Sequence, residues 1–106
     1  MEVYRGDTFR FNLAAGLEDG SIYEFQQGDI LKIGVKETLS KSRYLLFKQI
    51  NIEEPVTNIR VEFTPNEMKG CSLGDNILEV ELTDTQGNVY TISQEKLTIK
   101  GDVINE

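Results

Sequence analysis

The sequence predicts an all-β fold, an antiparallel β-sandwich of about seven strands with one short helical turn near residues 65–69. Three observations predict it. Gly-Asp pairs recur along the chain, and three of them open an alternating apolar run, as turns between strands do. The runs alternate apolar and polar residues with a period of two, which is typical of half-buried strands. A single stretch carries the start signals of a helix.

The alternating runs define the strands in chain order. The predicted strands are residues 8–13, 30–36, 44–50, 58–63, 77–83, 89–93 and 97–100. A short edge strand at residues 22–25 is left open within a loop, and residues 84–88 are predicted to form a hairpin connection. With 106 residues and no composition break, the chain is predicted to be one domain, residues 1–106.

The helical turn is predicted from a capping box. Thr64 can cap, Pro65 suits the first helical position, and Glu67 can return a bond to the cap. Phe63 and Met68 occupy the staple positions around it.

Side chains on the inward parity of these strands form the predicted core. They are Phe9, Phe11, Leu13, Leu31, Ile33, Val35, Leu45, Phe47, Ile59, Val61, Phe63, Leu78, Val80, Leu82, Tyr90, Ile92, Leu97 and Ile99. Burying that many large apolar groups is sufficient for a domain without disulfides or metal.

The strand at residues 44–50 differs from the others because it is apolar on both parities. One interpretation is that Tyr44, Leu46 and Ile50 are partly exposed and form a contact with a partner. A charged residue at Leu46 would then break self-association and leave the fold stable. The alternative, held open, is that both faces of this strand are buried.

Composition excludes several classes of function. The chain carries 11 basic and 18 acidic residues, a net charge of −7, which argues against nucleic-acid binding. It has no histidine and one cysteine, Cys71, so His/Cys zinc sites and Ser-His-Asp or Cys-His catalysis are excluded within one chain. No catalytic, cofactor-binding or metal-binding residue is predicted, and no cofactor. Charges among the first twenty residues leave no room for a secretory signal, and no apolar run is long enough to span a membrane.

Three local motifs have plainer explanations than function. Arg5-Gly6-Asp7 spells an adhesion tripeptide but leads straight into a strand. The turn from Asp84 to Asn88 has too few oxygen ligands for calcium and is predicted to be a solvated hairpin. Cys71 is predicted to be a small buried hydrophobe.

The order of elements from residue 59 onward resembles a known family. It runs through the strand at 59–63, Thr64-Pro65-Asn66-Glu67, Leu73-Gly74, the strand at 78–82, the turn at 83–88, residues 89–92, residues 97–100 and Asp102-Val103, and residues 5–9 also fit. This pattern resembles the N-terminal β-sandwich domain of phage baseplate upper proteins and related small virion proteins of phages and prophages of Gram-positive bacteria.

The resemblance implies a function in assembly. The chain is expected to be a non-enzymatic structural module of a phage or prophage tail or baseplate, with an immunoglobulin-like sandwich fold. Its expected partners are other tail or baseplate proteins, a homo-oligomer is left open, and nucleic acid and membrane are not expected. Its expected location is the virion, assembled in the cytoplasm of the bacterial host. The alternative is an immunoglobulin-like carbohydrate- or ligand-binding module of a surface protein.

Overall fold

The computed structural model describes residues 1–38 and 43–101. The elements in chain order are β1 (Glu2–Tyr4), β2 (Phe9–Leu13), β3 (Ile30–Lys36), β4 (Leu46–Asn51), β5 (Ile59–Phe63), α1 (Pro65–Met68), β6 (Gly74–Thr83) and β7 (Val89–Lys100). The predicted all-β class is confirmed. Part of the connector after β3 and the Asp102-Val103 ending lie outside the described residues.

The described strands form two sheets. The large sheet has five strands in the order β1-β7-β6-β3-β4, and the small sheet pairs β2 with β5. All pairs are antiparallel except β1 with β7, which run parallel, so the large sheet is mixed and not purely antiparallel as predicted. In the small sheet Phe9 lies opposite Phe63 and Leu13 opposite Ile59.

Buried side chains from both sheets pack into one hydrophobic cluster. Twelve of the residues predicted to face inward are buried: Phe9, Leu13, Leu31, Ile33, Val35, Val61, Phe63, Leu78, Val80, Leu82, Leu97 and Ile99. Phe11, Ile59 and Ile92 are half-buried against the cluster, and Leu45 is half-buried.

Two predicted core residues are exposed. Phe47 is 45% exposed because the parity of β4 is the reverse of the predicted one, with Leu46 turned inward. Tyr90 is 51% exposed although it lies opposite the buried Leu82. Directly opposed residues share a sheet face, so Tyr90 is on the inner face of the large sheet. The small sheet has two strands and leaves this part of the inner face uncovered.

Three predicted elements also change. Residues 89–93 and 97–100 belong to the one strand β7, because β6 pairs along it from Val89 to Ile99, across a bulge near Val80 and Glu81. Residues 22–25 make only isolated bridges, from Ile22 to Gly16 and from Phe25 to Val56. The strand β1, which the sequence did not reveal, exists through its pairing with β7.

The helical turn and the hairpin match their predictions. The Glu67 amide donates to Thr64 Oγ1 over 3.2 Å, and the Thr64 amide donates to Glu67 Oε1 over 3.0 Å, which completes the capping box. Phe63 and Met68 are fully buried. The β6–β7 hairpin is held by Asp84, whose Oδ1 accepts the amides of Gln86 and Asn88.

Candidate functional site

The three residues predicted as an interface lie on different faces of the large sheet. Leu46 is 7% exposed and belongs to the core, so the expectation that it is partly exposed is wrong. Ile50 is half-buried and packs against the same core. Tyr44 lies on the outer face. The register explains the split, since Leu46 pairs with the buried Val35 and Ile50 with the buried Leu31.

Tyr44 anchors a polar cluster on the outer face. Its ring lies against Gly34, where an added Cβ would come within 2.2 Å of a ring carbon. Its hydroxyl donates to Glu79 Oε1 over 3.0 Å, and Lys36 Nζ lies 3.5 Å from the same oxygen. The pKa of Glu79 is lowered, chiefly by the hydrogen bond from Gln94.

Phe47 extends this cluster outward. Its ring centroid lies 5.3 Å from that of Tyr44, at an interplanar angle of 43°. Phe47 is opposite Gly34 in the register, which places it on the outer face beside Tyr44. The outer face therefore carries an aromatic pair, one ring of which is exposed, next to charged and amide side chains.

β4 is the terminal strand at one edge of the large sheet, and Lys48 points inward from it. This residue lies on the same face of β4 as Leu46, and its Nζ donates to the backbone carbonyl of Glu62 on β5. The ammonium group is 4.8 Å from the centroid of the Phe63 ring and 3.8 Å from Glu67 Oε2. An inward-pointing charge is one of the ways in which an edge strand avoids pairing with another chain.

At the other edge of the large sheet, no described strand pairs with much of β7. Strand β1 covers only Thr98 to Lys100 of this edge. Within residues 1–38 and 43–101, no strand pairs with residues 89–95 of β7 from that side. We call residues 89–95 the open edge.

A groove separates the open edge from β2 and the chain that follows it. One cavity of about 350 Å³ is lined by Ala15, Gly16, Leu17, Tyr23, Leu82, Asp84, Tyr90 and Ile92. A second of about 230 Å³ is lined by Met1, Phe11, Asn12, Leu13, Ala14, Leu78, Val80, Ile92, Ser93 and Glu95. Ile92 lines both, so the two cavities meet along β7. We call them together the edge groove.

Two acidic side chains mark the ends of the edge groove. Glu95 lies opposite the buried Leu78, on the inner face of the large sheet, and has no ion-pair partner within the described ranges. Asp84 lies at the other end, and its carboxylate is already occupied by the amides of its own turn. Of the two acids, Glu95 is the one whose carboxylate is not bonded within its own turn, and it lines the same cavity as Met1, whose ammonium donates to the Lys96 carbonyl.

Tyr23 forms a rigid wall of the larger cavity. Its hydroxyl donates to Asp29 Oδ2 over 2.7 Å, and that carboxylate also accepts the Gln26 amide over 2.9 Å. Burial, together with the bond to Asp29, raises the pKa of Tyr23 to about 12. Gly28, at φ +97°, allows the turn that brings Asp29 to this position. The hydroxyl is thus committed to a structural bond.

The other chemically reactive groups contribute no cluster. Cys71 is buried, and burial raises the pKa of its thiol, so the nucleophilic thiolate is disfavoured. The described residues contain no group of three His, Cys, Asp or Glu side chains placed to hold a metal ion. In the same residues no helix is long and apolar enough to cross a membrane.

Sequence reasoning missed the two features that distinguish the sheet edges. The inward turn of Lys48 follows from the parity of β4, which a run that is apolar on both sides does not reveal. The continuity of β7, which carries the open edge, was indicated by Gln94-Glu95-Lys96, because this stretch holds no Gly or Pro to end a strand.

Comparison with known proteins adds no assignment: no protein-family model, curated protein or solved structure matches this chain.

Proposed function

We propose that this protein is a non-enzymatic structural module of a phage or prophage tail or baseplate that acts by binding other protein chains. The observation that carries the proposal is the open edge beside the edge groove, whose larger cavity is lined mainly by apolar groups. Unpaired strand edges of this kind bind extended segments of other proteins, and main-chain hydrogen bonds supply much of the affinity. The assignment to a tail or baseplate is supported by the resemblance of residues 59–103.

The same resemblance supports a finer interpretation of the fold. We interpret the two sheets as a reduced immunoglobulin-like sandwich in which a two-stranded sheet covers part of a five-stranded one. The shared hydrophobic cluster between them is the supporting feature. In such a sandwich an uncovered strip of inner face is where a further strand would fit.

Deletion of the gene from an inducible prophage tests the function. After induction we expect particles without complete tails by electron microscopy, and we expect a plasmid copy of the gene to restore them. In particles of the unmodified prophage, mass spectrometry should find the protein among the tail components. Infectious, fully tailed particles formed without the gene would contradict the proposal.

A second function is favoured by the aromatic pair on the outer face. Tyr44 and Phe47 lie beside Lys36, Glu79 and Gln94, a combination of rings and polar groups that suits a sugar. As a carbohydrate-binding module, the protein would bind cell-wall glycans on an array, and Phe47→Ala would abolish binding. Equal glycan binding by the unmodified protein and the variant would remove the aromatic pair as the site.

A further inference from the structure

We propose that the edge groove is a strand-acceptor site, in which an extended basic and apolar segment of a partner protein adds to the open edge of β7. The inference deepens the proposed function and rests on it for the identity of the partner as a tail or baseplate protein. The site itself is argued from the geometry of β7, the two cavities and Glu95.

The backbone of the open edge is oriented to receive a strand. Further along β7 the Thr98 amide donates to the Met1 carbonyl over 2.9 Å, and the Arg5 amide donates to the Lys100 carbonyl over 2.9 Å. Backbone groups in a strand point alternately to its two sides. The amide and carbonyl of Gln94 therefore point to the same side as those of Thr98 and Lys100, where no described strand meets them.

β1 shows how the added strand would lie. It occupies the same edge, and Val3 is buried opposite Ile99. An added strand in line with β1 continues the ladder along residues 89–95, and every second side chain enters the edge groove. Ile92, at the bulge, lines both cavities, so an apolar side chain of the added strand would enter the larger cavity and a basic one the second cavity beside Glu95.

Charge selects the partner. Directly opposed residues share a face, so the residue of the added strand across from Glu95 points to the inner side with it. Glu95 has no ion-pair partner among the described residues, and the whole chain carries a net charge of −7. A lysine or arginine at that position would neutralise Glu95, whereas an acidic residue would be repelled.

The alternative edge does not offer such a site. On β4 the inner position between Leu46 and Ile50 is held by Lys48, whose ammonium is bonded to the β5 backbone. An added strand there would meet a cation already in place and no cavity among those described.

Selection from a yeast-displayed random peptide library against the immobilised full chain tests the inference. We expect enriched peptides to alternate apolar and polar residues and to carry one basic residue. Gln94→Pro removes the amide that points to the open side, and Gln94→Ala is the matched control that loses the same side chain but keeps the amide. Binding of enriched peptides should fall about tenfold or more in Gln94→Pro and stay within about twofold in Gln94→Ala.

Charge reversal provides an independent test that does not depend on a proline. Glu95→Lys should weaken the enriched peptides about tenfold, and peptides with the basic residue changed to Glu should regain affinity. Glu81→Lys makes the same change on the outer face of the same sheet and should alter binding by no more than about twofold. Circular dichroism verifies the fold of each variant.

Several results would overturn the inference: no enrichment, equal losses in Glu95→Lys and Glu81→Lys, or amide shifts confined to β4 on peptide titration. Self-association through residues 89–95 without peptide would assign the groove to a second copy and would also overturn it. If peptides bind the groove but the protein is absent from particles, the proposed function fails alone. If the protein is found in tails but the Glu95→Lys variant assembles normally, the strand-acceptor site is refuted and the proposed function stands.

Discussion

The β4 edge and the β7 edge of the large sheet differ in the groups that lie beside them. At the β4 edge an inward lysine, Lys48, bonds to the backbone of the small sheet. At β7 most of the edge lies beside the edge groove, and no described strand pairs with it there. β4 and β7 both carry apolar residues, so hydrophobicity alone does not explain why their edges differ. The difference arises because the two strands of the small sheet cover only part of the inner face of the five-stranded sheet.

The largest effect on stability is expected from a charge placed at the buried position Leu46 of β4. Leu46→Asp would bury a carboxylate in the hydrophobic cluster, opposite Val35, and we expect the protein to be largely unfolded at room temperature. Phe47→Asp, one residue on and 45% exposed, is the control and should remain folded. Circular dichroism and thermal melting measure both. A folded Leu46→Asp variant would show that β4 is not fixed against the core.

Removing the aromatic ring below Lys48 comes next. Phe63 is fully buried and stacks with Phe9 at a centroid distance of 6.1 Å. Phe63→Ala should lower the free energy of unfolding by about 3–5 kcal/mol in denaturant melts. Phe47→Ala, which removes the same ring from an exposed position, should cost less than about 1 kcal/mol. Similar losses for the two would mean that the buried and exposed parities of this region are misassigned.

Lys48→Met would remove the inward charge beside the β4 edge. The variant keeps the apolar stem but leaves the Glu62 carbonyl without its ammonium donor, at a cost of about 1–2 kcal/mol. It should also self-associate more in light scattering, since the inward charge is gone. Lys32→Met makes the same change on the outer face of β3 and should do neither. A monomeric Lys48→Met would argue that β4 is protected by something else.

The smallest effect is expected on the stability of the protein at low pH. Because the pKa of Glu79 is lowered in the folded state, its stabilising contribution is present above the carboxyl pKa of the unfolded chain, about 4.3, and is lost as the pH falls through the folded value. Glu79→Gln should therefore reduce the loss of stability on acidification below about pH 4.3. Glu81→Gln, on the same outer face, is the control. Identical acid melts for Glu79→Gln and the unmodified protein would show that the bonds from Gln94 and Tyr44 do not matter.

Local chemistry made part of the structure predictable. The capping box joins Thr64 and Glu67, and the Asp84 turn is closed by Gln86 and Asn88. Because these hydrogen bonds join residues close together in the chain, they can be predicted without knowing the rest of the fold. The strands β2, β3, β5 and β6 follow from clean alternation, because one face of each must be buried. For the same reason the predicted core was correct where a strand alternates strictly, as from Leu31 to Val35.

The remaining features depend on which strands meet. The parity of β4 was ambiguous in a run that is apolar on both sides, and only its pairing with β3 turned Leu46 inward and Phe47 outward. β1 exists because β7 offers it a partner, and β7 is continuous because β6 is long enough to pair with it. Local residue patterns were therefore enough to predict the all-β class, the capping box and the Asp84 turn. Long-range contacts decided that β1 pairs with only part of the β7 edge and that Lys48 bonds to β5, because these contacts join residues far apart in the chain.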